Sequence, residues 1–547
     1  MRNRKIFACL FFGLLGGFSA SAQNYIPGYS ICSSTEKTTA QTLYGKVSGY
    51  IENGIYTYKG IPYAKAARFE EPQAPDAWQG VRSSRSYGYV APHPPRSGWR
   101  DDMSAFVFRW NDGFMGEDCQ RLNIWTPGIG DGKKRPVMVW LHGGGFAEGS
   151  GQEHPGYDGR NLAEKGDVVV VTLNHRLNAL GYLDLSAFGE KYKHSGNLGM
   201  LDIVAALRWI HDNIAAFGGD PGNVTIFGQS GGGGKVCTLM SMPCAKGLFH
   251  KAIIQSGVMT EMMTQEWARR IGQKTVELLG LDAATVDKIK TLPYEQVLAA
   301  NKKAIDICRE EAHQQGLHPF IFGQAPVVDG DVLPANALDK SSLQLSADIP
   351  VMVGTTVNEF AGFNHDPKLK TMTWDDARTA LAKTYGKDTD TFLKLFRQAY
   401  PKAQAGDALL LDVVFRPTTV EGIDARVRSV KAPVYNYIFG YQSPVFDGAF
   451  HAAHCFEIPF AFNNVMLSAS MTGGQPDAVK LGDAMSQAWI NFARTGNPNN
   501  SLLPKWDAYT LKNGAVMYFD APKSEVLYKH DRKLMEFVNK VNRFKGL

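Results

Sequence analysis

The chain carries 547 residues, 44% of them hydrophobic, with a formal net charge of +5 and seven cysteines. That is enough apolar material for a large core and enough length for two or three domains. The charge balance, without a clustered basic face, argues against nucleic acid or anionic membrane as a partner. Sparse cysteines with no CxxC pair argue against a zinc or dithiol redox motif.

In chain order, the first segment reads as an export signal. Arg2, Arg4 and Lys5 form a positive stretch, residues 6–18 an apolar run too short to span a bilayer, and Ala20-Ser21-Ala22 a small-x-small cleavage site. Residues 1–22 are therefore expected to be removed, leaving a mature protein of residues 23–547 in the periplasm or outside the cell. The alternative is an uncleaved anchor. Cys9 sits too early in the apolar run to be a lipoprotein cysteine. Losing the three basic residues takes the charge from +5 to +2, and the one compact basic cluster, Lys133-Lys134-Arg135, reads as a solvated turn.

Residues 42–63 alternate polar and apolar positions with glycine turns, the pattern of β-hairpins. Two continuous apolar runs follow, at residues 136–141 and 167–172, as strands buried on both faces of a parallel sheet require. Residues 201–217 place Ile203, Leu207, Ile210 and Ile214 at helical spacing. Strands and helices alternate to Ser256, predicting an α/β sheet. Residues 261–343 are richer in helical pattern and read as a helical insertion. Strand signals return at 350–354 and 434–439. A last helix, 477–495, stops at Gly496-Asn497-Pro498. No repeat, low-complexity linker or further membrane-length apolar segment interrupts the chain, so one large domain is expected.

Gly228-Gln229-Ser230-Gly231-Gly232 follows an apolar stretch at 224–227 and leads into a helical one. A serine between strand and helix is held in a strained turn with its hydroxyl exposed, and the flanking glycines avoid collisions with neighbouring backbone. That arrangement presents a nucleophile. A P-loop reading of the same glycines fails, because Gln229 stands where glycine is needed and Val236 where Ser or Thr is needed. His142-Gly143-Gly144-Gly145-Phe146, directly after the 136–141 strand, can turn N–H groups toward a developing oxyanion, with Gly231 adding another.

These motifs, together with Gly60-Ile61-Pro62-Tyr63-Ala64, Glu117-Asp118-Cys119 with Leu122-Asn123, and segments 197–202, 213–220 and 489–499, resemble the type-B carboxylesterases. These are α/β-hydrolases that include cholinesterases and bacterial p-nitrobenzyl esterases. The resemblance covers essentially the whole mature chain. It implies a Ser-Glu-His triad: Ser230 as nucleophile, Glu359 in the loop 354–359 as acid, and a histidine as base. His454 stands three residues before Glu457 at the head of an apolar stretch, as the family pattern requires, and His451 does not. Gly144, Gly145 and Gly231 are then the oxyanion donors, and Arg68–Glu117 and Arg176–Asp202 structural ion pairs.

The implied activity is hydrolysis of small-molecule carboxylic esters through an acyl-enzyme, with no metal or cofactor and no integral membrane partner. Two other readings stand beside it: an inactive cholinesterase-like adhesion or binding protein, and an amidase or thioesterase with the same triad. The sequence leaves substrate, oligomeric state and the roles of His451 and Cys455 open, and suggests Phe146, residues 99–110 and the helical insertion as sources of pocket walls. The chain departs from the family at Gln229, where a glutamate is usual, and at Gly231, where alanine is usual and glycine is expected to loosen the turn. The cysteine that usually pairs with the counterpart of Cys119 is missing, which leaves Cys119 free or bridged to Cys32.

Overall fold

The computed structural model describes residues 29–94, 101–317 and 323–545. The expected export segment and Trp99 lie outside them. A twelve-stranded sheet organises the chain. Its strands are β1 (Ile31–Cys32), β2 (Tyr50–Glu52), β3 (Ile55–Pro62), β4 (Arg121–Thr126), β5 (Arg135–Leu141), β6 (Val169–Leu173), β7 (Gly219–Gln229), β8 (Lys251–Gln255), β9 (Val351–Thr356), β10 (Val434–Phe439), β11 (Ala515–Phe519) and β12 (Glu525–Tyr528).

Their spatial order is β1-β2-β3-β4-β6-β5-β7-β8-β9-β10-β11-β12. From β6 to β11 every neighbouring pair is parallel, and the strands outside that block pair antiparallel. The β2–β3 hairpin turns on Asn53 and Gly54, both at positive φ (49° and 83°), the conformation that matches a tight turn to the twist of its strands.

The continuous apolar run of β5 has a direct cause. Val137, Val139 and Leu141 join one buried cluster while Met138 and Trp140 join another, so both faces of the strand are covered. On the first face lies helix α1 (Leu198–Asn213), contributing Ile203, Leu207 and Ile210. Helix α2 (Gly231–Leu239) follows the nucleophile turn. The expected insertion contains α3 (Gln265–Leu278) and α4 (Tyr294–Gln314), fastened by a two-residue parallel pair, Met263–Thr264 with Val327–Val328.

Two helices absent from the sequence reading, α5 (Trp374–Tyr385) and α6 (Thr389–Ala399), pack a separate cluster through Leu381, Tyr385, Phe392 and Phe396. Helix α7 (Phe415–Ser429) adds Val420 to that cluster, and α8 (Pro476–Thr495) covers the second sheet face with Met485, Trp489 and Phe492. Each such side chain, fully buried, contributes roughly 1.5–3 kcal/mol.

The structure decides between the two alternatives for Cys119 and corrects one expectation. Cys119 is a free thiol, as is Cys32, so the two are not bridged. Cys32 sits on the edge strand, paired with Ile51, whereas Cys119 is sealed between Ala91 and Leu177. Arg135 is also not solvated: it is 3% exposed, and its guanidinium reaches Asp131 at 2.5 Å and Asp167 at 2.6 Å.

Candidate active site

Parallel strands deliver their C-terminal ends to one edge of the sheet, where α/β folds place their ligands. Gly228 stands beside Leu141 at the end of β5, and Gln229 beside Gln255 at the end of β8, which in turn stands beside Gly354 of β9. The next residues in each strand's wake are therefore neighbours: His142, Ser230, Ser256 and the loop carrying Glu359.

Ser230 has φ 58° and ψ −126°, a conformation unfavourable for a side-chain-bearing residue. The turn is held by its N–H, which donates to the Gln255 carbonyl at 2.8 Å, and by Gly234 N–H, which donates to the Ser230 carbonyl at 3.0 Å. A Cβ on Gly232 would stand 2.0 Å from the Leu141 carbonyl oxygen, so only glycine lets α2 approach β5 this closely. Gly231 obeys a similar constraint. A Cβ there would meet Gly145 O at 2.2 Å and Gly145 Cα at 2.4 Å. The expected loosening is thus replaced by a packing requirement: this glycine lets the Gly143–Phe146 loop lie directly on the start of α2. No backbone acceptor among the described residues takes the N–H of Gly144, Gly145 or Gly231.

His454 Nδ1 is hydrogen-bonded to Glu359 Oε2, and both side chains are buried. Glu359 takes φ 34° just beyond β9. Its Oε1 accepts from Thr356 N–H at 2.8 Å and from the Ser256 hydroxyl at 2.6 Å, which leaves Oε2 to the imidazole. The His454 N–H donates to the Glu359 carbonyl at 3.1 Å, so the two loops are also joined through backbone. The imidazole lies between Phe360 and Phe415, at ring-centroid distances of 4.4 and 5.2 Å. His451 is half-buried at positive φ and takes no part in this cluster.

Gln229 is buried, with its amide nitrogen 3.2 Å from His454 Nε2 and its Oε1 accepting from the Cys455 thiol at 3.3 Å. Ser230 Oγ makes no hydrogen bond among the described residues. The amide nitrogen is also 3.3 Å from His454 Nδ1, so it lies against the ring between its two nitrogens.

Two further buried carboxyls surround the pair, and nothing local in the sequence announced that they would be buried together. Asp412 accepts from Val414, Phe415 and Arg416 N–H groups, fixing the start of α7 and with it Phe415. Glu457 accepts from Gln255 Nε2 at 3.2 Å. Burial, reinforced by the Glu359 charge, pushes each of them up to about 7.

Ser230, His454, Gly143, Gly144 and Gly145 line one cavity of about 660 Å³. Its walls include Trp110, Tyr157, Phe360 and Phe363, and its acidic groups Asp101, Glu148 and Glu153. Trp110 falls within the stretch expected to form a wall. Phe146 instead is buried, edge-on to Tyr182 at 5.3 Å. Glu148 also lines a neighbouring cavity of about 880 Å³ bounded by Tyr294, Leu298 and Ile305 of α4.

The two ion pairs implied by the resemblance are both formed. Arg68 Nε donates to Glu117 at 2.7 Å, and Arg176 binds Asp202 bidentately at 2.7 and 2.9 Å, fully buried. Among the described residues no cluster of His, Cys, Asp and Glu is arranged to hold a metal ion, and no helix is long and apolar enough to cross a membrane.

An α/β sheet whose strand ends gather a strained serine, a glycine loop and a carboxylate-bound histidine defines a class of hydrolase, and comparison gives its family. Residues 36–538 match the carboxylesterase family. The chain is 37% identical over 505 residues to the para-nitrobenzyl esterase of Bacillus subtilis (strain 168), covering 90% of this chain and 96% of that one. It is 33% identical to the phenmedipham hydrolase of Pseudarthrobacter oxydans, over 89% of this chain and 96% of that one. Among solved structures, a Clostridium hathewayi esterase that hydrolyses aliphatic aromatic polyesters superposes with a TM-score of 0.82 at 36% identity. That match covers 94% of this chain and all of the other. The chain belongs to the carboxylesterase family, with the α/β-hydrolase fold, and is a carboxylesterase.

Proposed function

We propose that this carboxylesterase is an exported serine hydrolase that cleaves carboxylic esters through a Ser230–His454–Glu359 triad and an acyl-enzyme intermediate. The observation that carries the reading is the buried His454–Glu359 hydrogen bond, set in the same cavity as Ser230 and the glycine loop.

In this reading Ser230 Oγ attacks the ester carbonyl while His454 Nε2 takes its proton. The hydrogen bond between Ser230 and His454 forms in the substrate complex, where catalytic hydrogen bonds tighten. Glu359 holds the imidazole in the tautomer with its proton on Nδ1 and stabilises the imidazolium once formed. The N–H groups of Gly144, Gly145 and Gly231 receive the oxyanion. Collapse of the tetrahedral intermediate breaks the ester C–O bond, and the leaving alkoxide takes the proton from His454. Water, deprotonated by the same imidazole, then releases the acid and restores Ser230.

The cavity volume and its mixture of aromatic and acidic walls suit esters of small to medium alcohols. Residues 1–22 carry the export part of the reading, and Gln23 as the mature N-terminus would be its signature. The test of the chemistry is labelling by a fluorophosphonate probe with mass-spectrometric location of the adduct. Wild type is expected to be modified at Ser230 and the Ser230→Ala protein to remain unmodified. Equal labelling of the two would sink the assignment.

A further inference from the structure

Five residues beyond Ser230, on α2, stands a lysine that the triad does not use. Lys235 is fully buried. Its ammonium donates to the His142 carbonyl at 2.8 Å and lies 5.7 Å from the centre of the Phe146 ring. His142 and Phe146 are the two ends of the glycine run, so Lys235 grips that run at its entry and packs against its exit.

The His142 side chain is itself committed. Its Nδ1 lies 2.9 Å from the Gly143 carbonyl and its ring stacks on buried His175 at 5.0 Å. Lys235 forms no ion pair among the described residues; burial pushes its amine down to about 7, and the charge of Glu153 opposes that only in part. Burying an ammonium without a paired carboxylate is costly. A methionine or leucine would fill the same space without that cost, so the polar group has to be explained by what it touches.

We infer that Lys235 is a positioning residue for the oxyanion hole: by bonding the His142 carbonyl it fixes the Gly143–Gly145 backbone. The inference rests on reading Gly144, Gly145 and Gly231 as the oxyanion donors. Preorganised donors of this kind act on the transition state more than on bound substrate, because the negative charge is present only there.

The test compares wild type, Lys235→Met and Lys235→Gln in steady-state hydrolysis of a nitrophenyl ester and in inhibition by a trifluoromethyl ketone. The serine adds to the ketone to give a tetrahedral anion. Labelling of wild-type Ser230 by a fluorophosphonate is established first, so that a wrong nucleophile is recognised independently of Lys235. Lys235→Met is expected to lose about tenfold to a hundredfold in kcat with KM within threefold, and to bind the ketone more weakly by a similar factor. Lys235→Gln keeps a donor for the His142 carbonyl and is expected to recover part of the loss. A kcat within threefold of wild type in Lys235→Met overturns the inference, as does a fallen kcat with undiminished ketone affinity. If Lys235→Met does not fold, the same two readings on Lys235→Leu, which also lacks a donor for the His142 carbonyl, decide it.

Discussion

Replacing Gly231 by alanine, the residue usual in the family, should damage this enzyme. The new Cβ would stand 2.2 Å from Gly145 O, 2.4 Å from its Cα and 2.5 Å from its carbonyl carbon, against about 3.4 Å for an ordinary contact. One side must therefore retreat by roughly 1.2 Å, the difference between those distances. Helix α2 has little room to do so, because Gly232 already lies against the Leu141 carbonyl and Gly233 against Gly257. The glycine loop must give way, and its Gly145 N–H moves with it.

A displacement of about 1 Å in catalytic geometry costs about 10² in rate, and loss of one oxyanion donor about 10²–10³. Gly231→Ala is accordingly expected to lower kcat/KM on a nitrophenyl ester by about 10². Its thermal midpoint should also fall, since overpacking typically costs about 1–3 kcal/mol. The assay is steady-state kinetics on the purified variant beside a melting curve. Activity within threefold of wild type with an unchanged midpoint would refute the claim that this glycine is required by the loop packed on it.

Ser256→Ala removes one of the two donors on Glu359 Oε1 while leaving Thr356 N–H in place. A hydrogen bond to a charged group is worth about 1.5–3 kcal/mol, so kcat should fall about tenfold with little change in KM, whereas Glu359→Gln should cost about 10³–10⁴. Wild-type turnover in Ser256→Ala would show the hydroxyl to be dispensable. Glu457 gives a pH prediction. Its carboxyl is raised from 4.5 to about 7 in the folded protein, so its protonation stabilises the native state fully below pH 4.5, and that contribution is lost as pH rises to about 7. The shift corresponds to something on the order of 3 kcal/mol. Wild type should therefore lose stability relative to Glu457→Gln between pH 4.5 and pH 8, and parallel melting temperatures across that range would exclude the coupling.

The central sheet was legible because its residues obey one local rule: a strand buried on both faces must be apolar at every position. β5, β6 and β10 follow it with one buried polar exception each, Arg135, Thr172 and Asn436, and their boundaries fall within a residue or two of the apolar runs. Helices α5 and α6 were less visible, although Thr373 and Asp376 form a reciprocal cap at the start of α5 and could have marked it. The tiny strands at Met263–Thr264 and Val327–Val328 owe their pairing to tertiary packing and carry no periodic signal.

At the site, Ser230 and the glycine loop announced themselves through short-range geometry, since strained turns and close approaches restrict residue types locally. Ser256 did not. It reaches Glu359 only because β8 lies parallel to both β7 and β9 in a register that no single strand encodes. Asp412 and Glu457 were equally silent as a group, because a buried carboxyl is defined by what folds over it. Gln229 was noted as a lost charge, yet its contacts with His454 and Cys455 follow from how three separate loops converge.

That the six described cysteines form no disulfide has a practical meaning for how the protein can be made and handled. Among the described residues nothing in the folded chain is held by a reducible bond, so reductants such as dithiothreitol should leave its melting temperature unchanged. Folding then needs neither an oxidant nor a disulfide isomerase, and a version beginning at Gln23 should reach the same structure in a reducing cytoplasm as in an oxidising compartment.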